Sequence, residues 1–139
     1  MSIEDFVESI YMGDRACKAI CIDGWNKRVV IQVDSISVIG DAKKGWDPTS
    51  DRNLENACLV LTGVTSAALT PPGYLPNDYI HGLRVTPTAG GCYEFTLDVA
   101  SVDDAGRTTE VTVRIVGAGA HLSPAEAPDE DLLAPAPRG

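Results

Sequence analysis

The sequence predicts an α+β fold: an N-terminal helix packed on a mostly antiparallel β-sheet or sandwich of about six to seven strands. Three observations predict it. Ile3, Phe6, Val7, Ile10 and Tyr11 recur at helical spacing on one face. Residues Arg15 to Val38 hold two β-branched apolar runs on either side of a polar turn at Asp23 to Lys27, the pattern of a hairpin. Farther on, Tyr93, Phe95, Leu97 and Val99 alternate with polar residues, as do Val111, Val113 and Ile115, with Asp103-Asp104-Ala105-Gly106 between the two runs. That second pattern is a hairpin with one buried and one wet face.

The helix has its own start and stop signals. Ser2 can cap it, with Asp5 three residues on in a capping-box arrangement, and Gly13 supplies the stop. The expected length is about three turns. The first strand, Arg15 to Asp23, is apolar on both parities and so reads as a central strand. In the next strand the apolar set moves from Val29, Ile31 and Val33 to Ile36 and Val38. A parity change of this kind requires a bulge or bend near Asp34-Ser35.

Gly40 to Asn53 reads as a long polar loop carrying Trp46 and Pro48. Ala57 to Val64 and Thr65 to Thr70 are strand-like and meet at Gly63; Pro71-Pro72-Gly73 ends the run. Asn77 is placed to cap a single helical turn at Tyr79 to Gly82, before a short strand at Leu83 to Val85. From Ala118 the composition shifts to Ala, Pro and acidic residues, which cannot offset their ordering entropy by burial. The division is therefore a single domain over 1–117 and a disordered acidic tail over 118–139.

Composition bounds the function. The chain has 139 residues, 44% of them apolar and 22% charged, with a formal net charge of −9. Setting aside the tail's carboxylates, the body is still acidic. Phosphate-backbone binding is disfavoured, because that affinity comes from Lys and Arg. A basic protein partner is allowed. No apolar run is long enough to cross a membrane as a helix. No basic start precedes an apolar block, so the expected compartment is the cytoplasm. Cys17, Cys21, Cys58 and Cys92 lack zinc-ribbon spacing and read as free thiols, with no metal and no cofactor expected.

The motifs of nucleophilic, metal and nucleotide chemistry are missing: no G-x-S-x-G, H-E-x-x-H, Walker loop or G-x-G-x-x-G is present. An enzyme is accordingly the less favoured reading. Two groups of residues remain as candidates. Trp46, with Asp41, Asp47, Asp51 and Glu55 around it, has the composition of an aromatic anchor with a charged rim, suited to a basic partner. Asp14, Arg15, Asp23, Trp25 and His81 could instead line a small-ligand or catalytic site.

Gly13-Asp14-Arg15-Ala16-Cys17-Lys18, Asp23-Gly24-Trp25-Asn26, Ile31-Gln32-Val33-Asp34, Pro76-Asn77-Asp78 and the stretch from Tyr93-Glu94-Phe95 to Ser101-Val102-Asp103 resemble a family of small bacterial proteins of unknown function. The architecture is also similar to that of immunity proteins of bacterial polymorphic toxin systems. That likeness implies a non-enzymatic cytoplasmic binding module that neutralises a basic toxin domain. The alternative is a small-ligand-binding protein or enzyme at the Asp14 group.

Overall fold

The computed structural model describes residues 2–39 and 52–125. The described chain holds one short helix and eleven strands. In order these are α1 (Ile3–Glu8), β1 (Ile10–Tyr11), β2 (Cys17–Asp23), β3 (Arg28–Val33), β4 (Ser35–Val38), β5 (Arg52–Glu55), β6 (Cys58–Thr62), β7 (Ser66–Thr70), β8 (Ile80–Pro87), a 3-10 turn (Ala89–Gly91), β9 (Tyr93–Val102), β10 (Thr108–Gly117) and β11 (Gly119–Ser123). All strand pairs are antiparallel, in three sheets ordered β1-β4-β5, β7-β10-β9-β8 and β11-β6-β3-β2. The fold is thus β-rich, with more strands and less helix than the sequence pattern predicts.

The two four-stranded sheets supply one apolar core. Val29, Ile31 and Val33 of β3 and Leu59 and Leu61 of β6 belong to the same buried cluster as Phe95, Leu97 and Val99 of β9 and Val111, Val113 and Ile115 of β10. Period-2 alternation creates these faces, since every second side chain of a strand points the same way. Each such side chain contributes about 1.5–3 kcal/mol by leaving water.

Two strands pass from one sheet to the other. β6 continues into β7 through Gly63, and β10 continues into β11 through Ala118. Each pair stays hydrogen-bonded through the bend, by Ala118 N–H to the Thr62 carbonyl at 2.9 Å and Thr65 N–H to the Val116 carbonyl at 2.9 Å. Strands that switch sheets make the corners of crossed sheet packings. Gly63 takes φ +59, and a Cβ there would lie 2.9 Å from the Ala118 Cβ, so both backbone sign and space require glycine. At the opposite side, Ala16 bridges to Tyr79, bringing β2 to the start of β8.

Several sequence expectations are corrected. The helix stops at Glu8 with Ser9 as its C-cap, because Ile10 and Tyr11 pair with Val38 and Ser37 instead. Its start follows the expectation: Ser2 and Asp5 form a capping box. β2 is an edge strand, and the register slips by one residue between Cys17 and Ala19. That bulge moves the inward side from Cys17 to half-buried Ile20, while Ala19, Cys21 and Ile22 are exposed. Ile80 to Gly82 lie in β8 rather than in a helical turn, and Arg52 and Asn53 lie in β5 rather than in a loop.

The tail boundary also shifts. Gly119 to Ser123 form β11, paired with β6, with Ala120 and Leu122 in the core. Cross-strand pairing stabilises this Gly- and Ala-containing stretch, whose composition alone would leave it unstructured. Residues 126–139 and 40–51 lie outside the described residues.

The expected bend at Asp34 is present: β3 ends at Val33 and β4 begins at Ser35 in another sheet. Asp34 is held there by backbone hydrogen bonds with Ala16 and Asn56, and its Oδ1 accepts from Ala16 N–H at 2.9 Å.

Candidate functional site

The place where β2 meets β8 gathers polar groups from several elements. A tight turn follows β1, with Arg15 N–H on the Met12 carbonyl at 3.2 Å. Asp14 sits in it at φ 64, a left-handed conformation that Asp tolerates better than most residues. Asp14 N–H donates to the Ile80 carbonyl at 3.0 Å, and Ile80 N–H returns to the Arg15 carbonyl at 2.8 Å. These bonds place the Asp14 carboxylate beside two phenols. The Tyr79 hydroxyl donates to Oδ1, and the Tyr11 hydroxyl lies 3.4 Å from Oδ2.

Arg15 reaches β4. Its Nη2 donates to the Ser37 hydroxyl at 3.0 Å, and its guanidinium carbon lies 5.8 Å from the Tyr11 ring centroid. Ser37 is fully buried and donates onward to the Asn53 side-chain oxygen, so the network reaches the third sheet. His81 packs against Tyr79 with ring centroids 5.0 Å apart, and its Nε2 lies 2.7 Å from Glu110 Oε2. A cavity of about 170 Å³ opens beside this cluster, between α1, β1 and β8.

Asp23 and Trp25 lie elsewhere, at the far tip of the β2–β3 hairpin. Six residues of strand separate Cys17 from Asp23, about 20 Å of chain. Asp23 accepts from the Asn26 side-chain amide at 2.9 Å and from Asn26 N–H at 3.1 Å, with Arg28 Nε at 3.4 Å. The Asn26 side chain, then its backbone N–H, and then Arg28 hold the Asp23 carboxyl below its ordinary range. The turn is therefore ordered by its own polar groups, and Trp25 stands out from it at 94% exposure. Ile22 beside it is 56% exposed. Behind them runs a groove of about 420 Å³ lined by Ile22, Lys27, Arg28, Val64 and Ala67, among others.

The structure thus joins Asp14, Arg15 and His81 around the β2–β8 contact and leaves Asp23 and Trp25 at the other end of the hairpin. Glu55 is exposed on β5, opposite Ser35. Trp46, Asp41, Asp47 and Asp51 lie outside the described residues. Tyr11, Tyr79 and Glu110 belong to the first cluster but escape sequence reasoning. Tyr11 follows the helical stripe, and nothing local connects Glu110 to His81. The first cluster offers hydrogen-bond donors and acceptors, with the Tyr79 hydroxyl on the Asp14 carboxylate. Among the described residues, no three His, Cys, Asp or Glu side chains come together as a metal site.

The family model described as a family of unknown function (DUF6258) matches residues 1–133. The chain belongs to that family. The match spans both the β2–β8 contact and the hairpin tip. No curated protein and no solved structure matches the chain. No helix among the described residues is long and apolar enough to cross a membrane.

Proposed function

We propose that the chain is a non-enzymatic protein-binding module whose recognition element is the tip of the β2–β3 hairpin. One observation carries this reading: Trp25 is almost wholly exposed on a turn that its neighbours hold rigid. A tryptophan left in water forfeits a large burial energy, and tryptophans are the side chains that most often dominate protein interfaces. Ile22 and the groove behind the tip extend the apolar surface, while Asp23, Lys27 and Arg28 form its polar rim. A rigid anchor binds with little ordering cost.

The net charge of −9 favours a partner with a basic surface, since complementary charge accelerates encounter. An immunity protein that neutralises a basic bacterial toxin is the specific form of module this combination supports.

The test is affinity capture from cells of the source organism with the full chain and with Trp25→Ala. A partner retained by the parent, lost by the variant and released by salt supports the proposal. An identical captured set with both chains overturns it. Because Trp25 makes almost no burial contribution, the variant keeps the parent's melting temperature.

A further inference from the structure

We propose that the cavity between α1, β1 and β8 binds a small neutral molecule with an apolar body and one hydroxyl group. β8 carries an extra residue against β9, since Ile80 pairs with Val99 while Gly82 already pairs with Asp98. The bulge lies at His81, in the wall of the cavity of about 170 Å³. Val7, Ile10, Met12 and Leu83 line it with hydrocarbon and thioether, while Tyr11 and His81 bring polar groups to the same space.

The walls are ordered rather than collapsible. Ile10 and Met12 are buried. The Tyr11 ring lies so close to Gly13 that a Cβ there would sit 3.0 Å from its hydroxyl oxygen. Arg15 lies over the same ring, and Tyr79 packs on His81. An apolar cavity of about 150 Å³ is large enough to hold benzene, so this one accommodates a six-membered ring bearing a substituent. The hydroxyl matches the polar wall. In the neutral ring, His81 donating from Nε2 to Glu110 leaves Nδ1 as an acceptor, and the Tyr11 hydroxyl both donates and accepts. An anionic ligand is disfavoured, because Glu110 stands beside His81 and Val7, Ile10, Met12 and Leu83 give a carboxylate no solvation in place of water.

Phenol and cyclohexanol serve as probes, titrated into the full chain and followed by amide and methyl resonances. Saturable shifts at Val7, Ile10, Gly13 and Leu83 with either probe are expected. Val7→Phe fills the cavity from the helix side and Leu83→Phe from the strand side. Each is expected to weaken binding at least tenfold, with the fold verified by its unchanged dispersed spectrum. Trp25→Ala is expected to bind as the parent does. Shifts that never saturate, or that persist undiminished in both filled variants, overturn the proposal. Benzoate binding as tightly as phenol overturns the neutral-ligand part of it.

Discussion

The two main sheets meet at two places, and the contrast between them separates structure from function. At the corner, β6–β7 and β10–β11 carry the chain itself across the bend. Backbone hydrogen bonds hold it, and a glycine is required by both φ and space. At the other junction, Ala16 bridges to Tyr79, backbone hydrogen bonds join Asp14 and Arg15 to Ile80 and Cys17 to Asp78, and the Tyr79 hydroxyl adds a side-chain bond to Asp14. The corner is defined by backbone geometry, and Val64 to Ala67 on it line the groove behind the hairpin tip. The β2–β8 junction encloses a cavity and exposes titratable groups.

The largest effect should appear on the corner side of this comparison. Leu122→Ala removes a fully buried side chain from β11 and is expected to cost about 2–5 kcal/mol. Denaturant unfolding measures it. A variant as stable as the parent would show that β11 is dispensable and that the corner does not depend on it. Gly63→Ala comes next. It forces an L-residue into the left-handed region and drives a methyl toward the Ala118 Cβ. The backbone part alone amounts to about 1–2 kcal/mol, and the contact adds to it. A melting temperature unchanged by this substitution would mean that the bend can relax at no cost.

Much of the corner's supporting framework can be read from the chain, and much of the β2–β8 junction cannot. The β9–β10 hairpin, the Ser2–Asp5 capping box and the bend at Asp34 are all encoded by neighbours within a few residues. Their signals are local periodicity and local hydrogen bonds. Ile10 and Tyr11 extend the helical pattern, yet join a strand because Ser37 and Val38 lie opposite them. β8 is hidden by its bulge, and β11 by a composition of small residues, although Ala120 and Leu122 do alternate inward. Asp14 and Arg15 come near His81 through the Ala16–Tyr79 bridge, and their separation from Asp23 and Trp25 follows from strand length and direction. Tyr79, Glu110 and Ser37 reach the cluster through pairings between distant strands, which no short-range pattern records.

Cys17 lies in the β2–β8 junction and gives it a pH signature. Burial pushes its thiol up from 9.0 to about 11. The group is neutral in the folded state and ionises earlier in the unfolded one. Its contribution to stability is therefore complete below pH 9 and declines as pH rises toward 11, since the unfolded state there loses the proton first. Cys17→Ala should flatten the alkaline limb of the stability profile while lowering the plateau. The same burial predicts that a thiol-alkylating reagent labels exposed Cys21 in the native protein and spares Cys17 and Cys58. Labelling of Cys17 at the rate of Cys21, read by mass spectrometry, would contradict its placement.

The smallest expected effect tests whether the side chains at the junction hold it or merely decorate it. Tyr79→Phe deletes only the hydroxyl that donates to Asp14. The pair is partly exposed, so the expected loss is about 0.5–1.5 kcal/mol, the net value of an ordinary hydrogen bond. Asp14→Asn is the suitable second variant. Asn adopts the left-handed conformation at position 14 as readily as Asp, so the backbone turn survives and only the charge is removed. In a double-mutant cycle the two losses should be less than additive, because Tyr79→Phe removes the donor and Asp14→Asn leaves it only a neutral amide oxygen as acceptor. Full additivity would mean that the hydroxyl and carboxylate do not interact, leaving the Ala16–Tyr79 bridge and its backbone bonds as the junction's support. The side chains at the junction would then add nothing to the backbone bonds that join Asp14, Arg15 and Cys17 to Asp78 and Ile80.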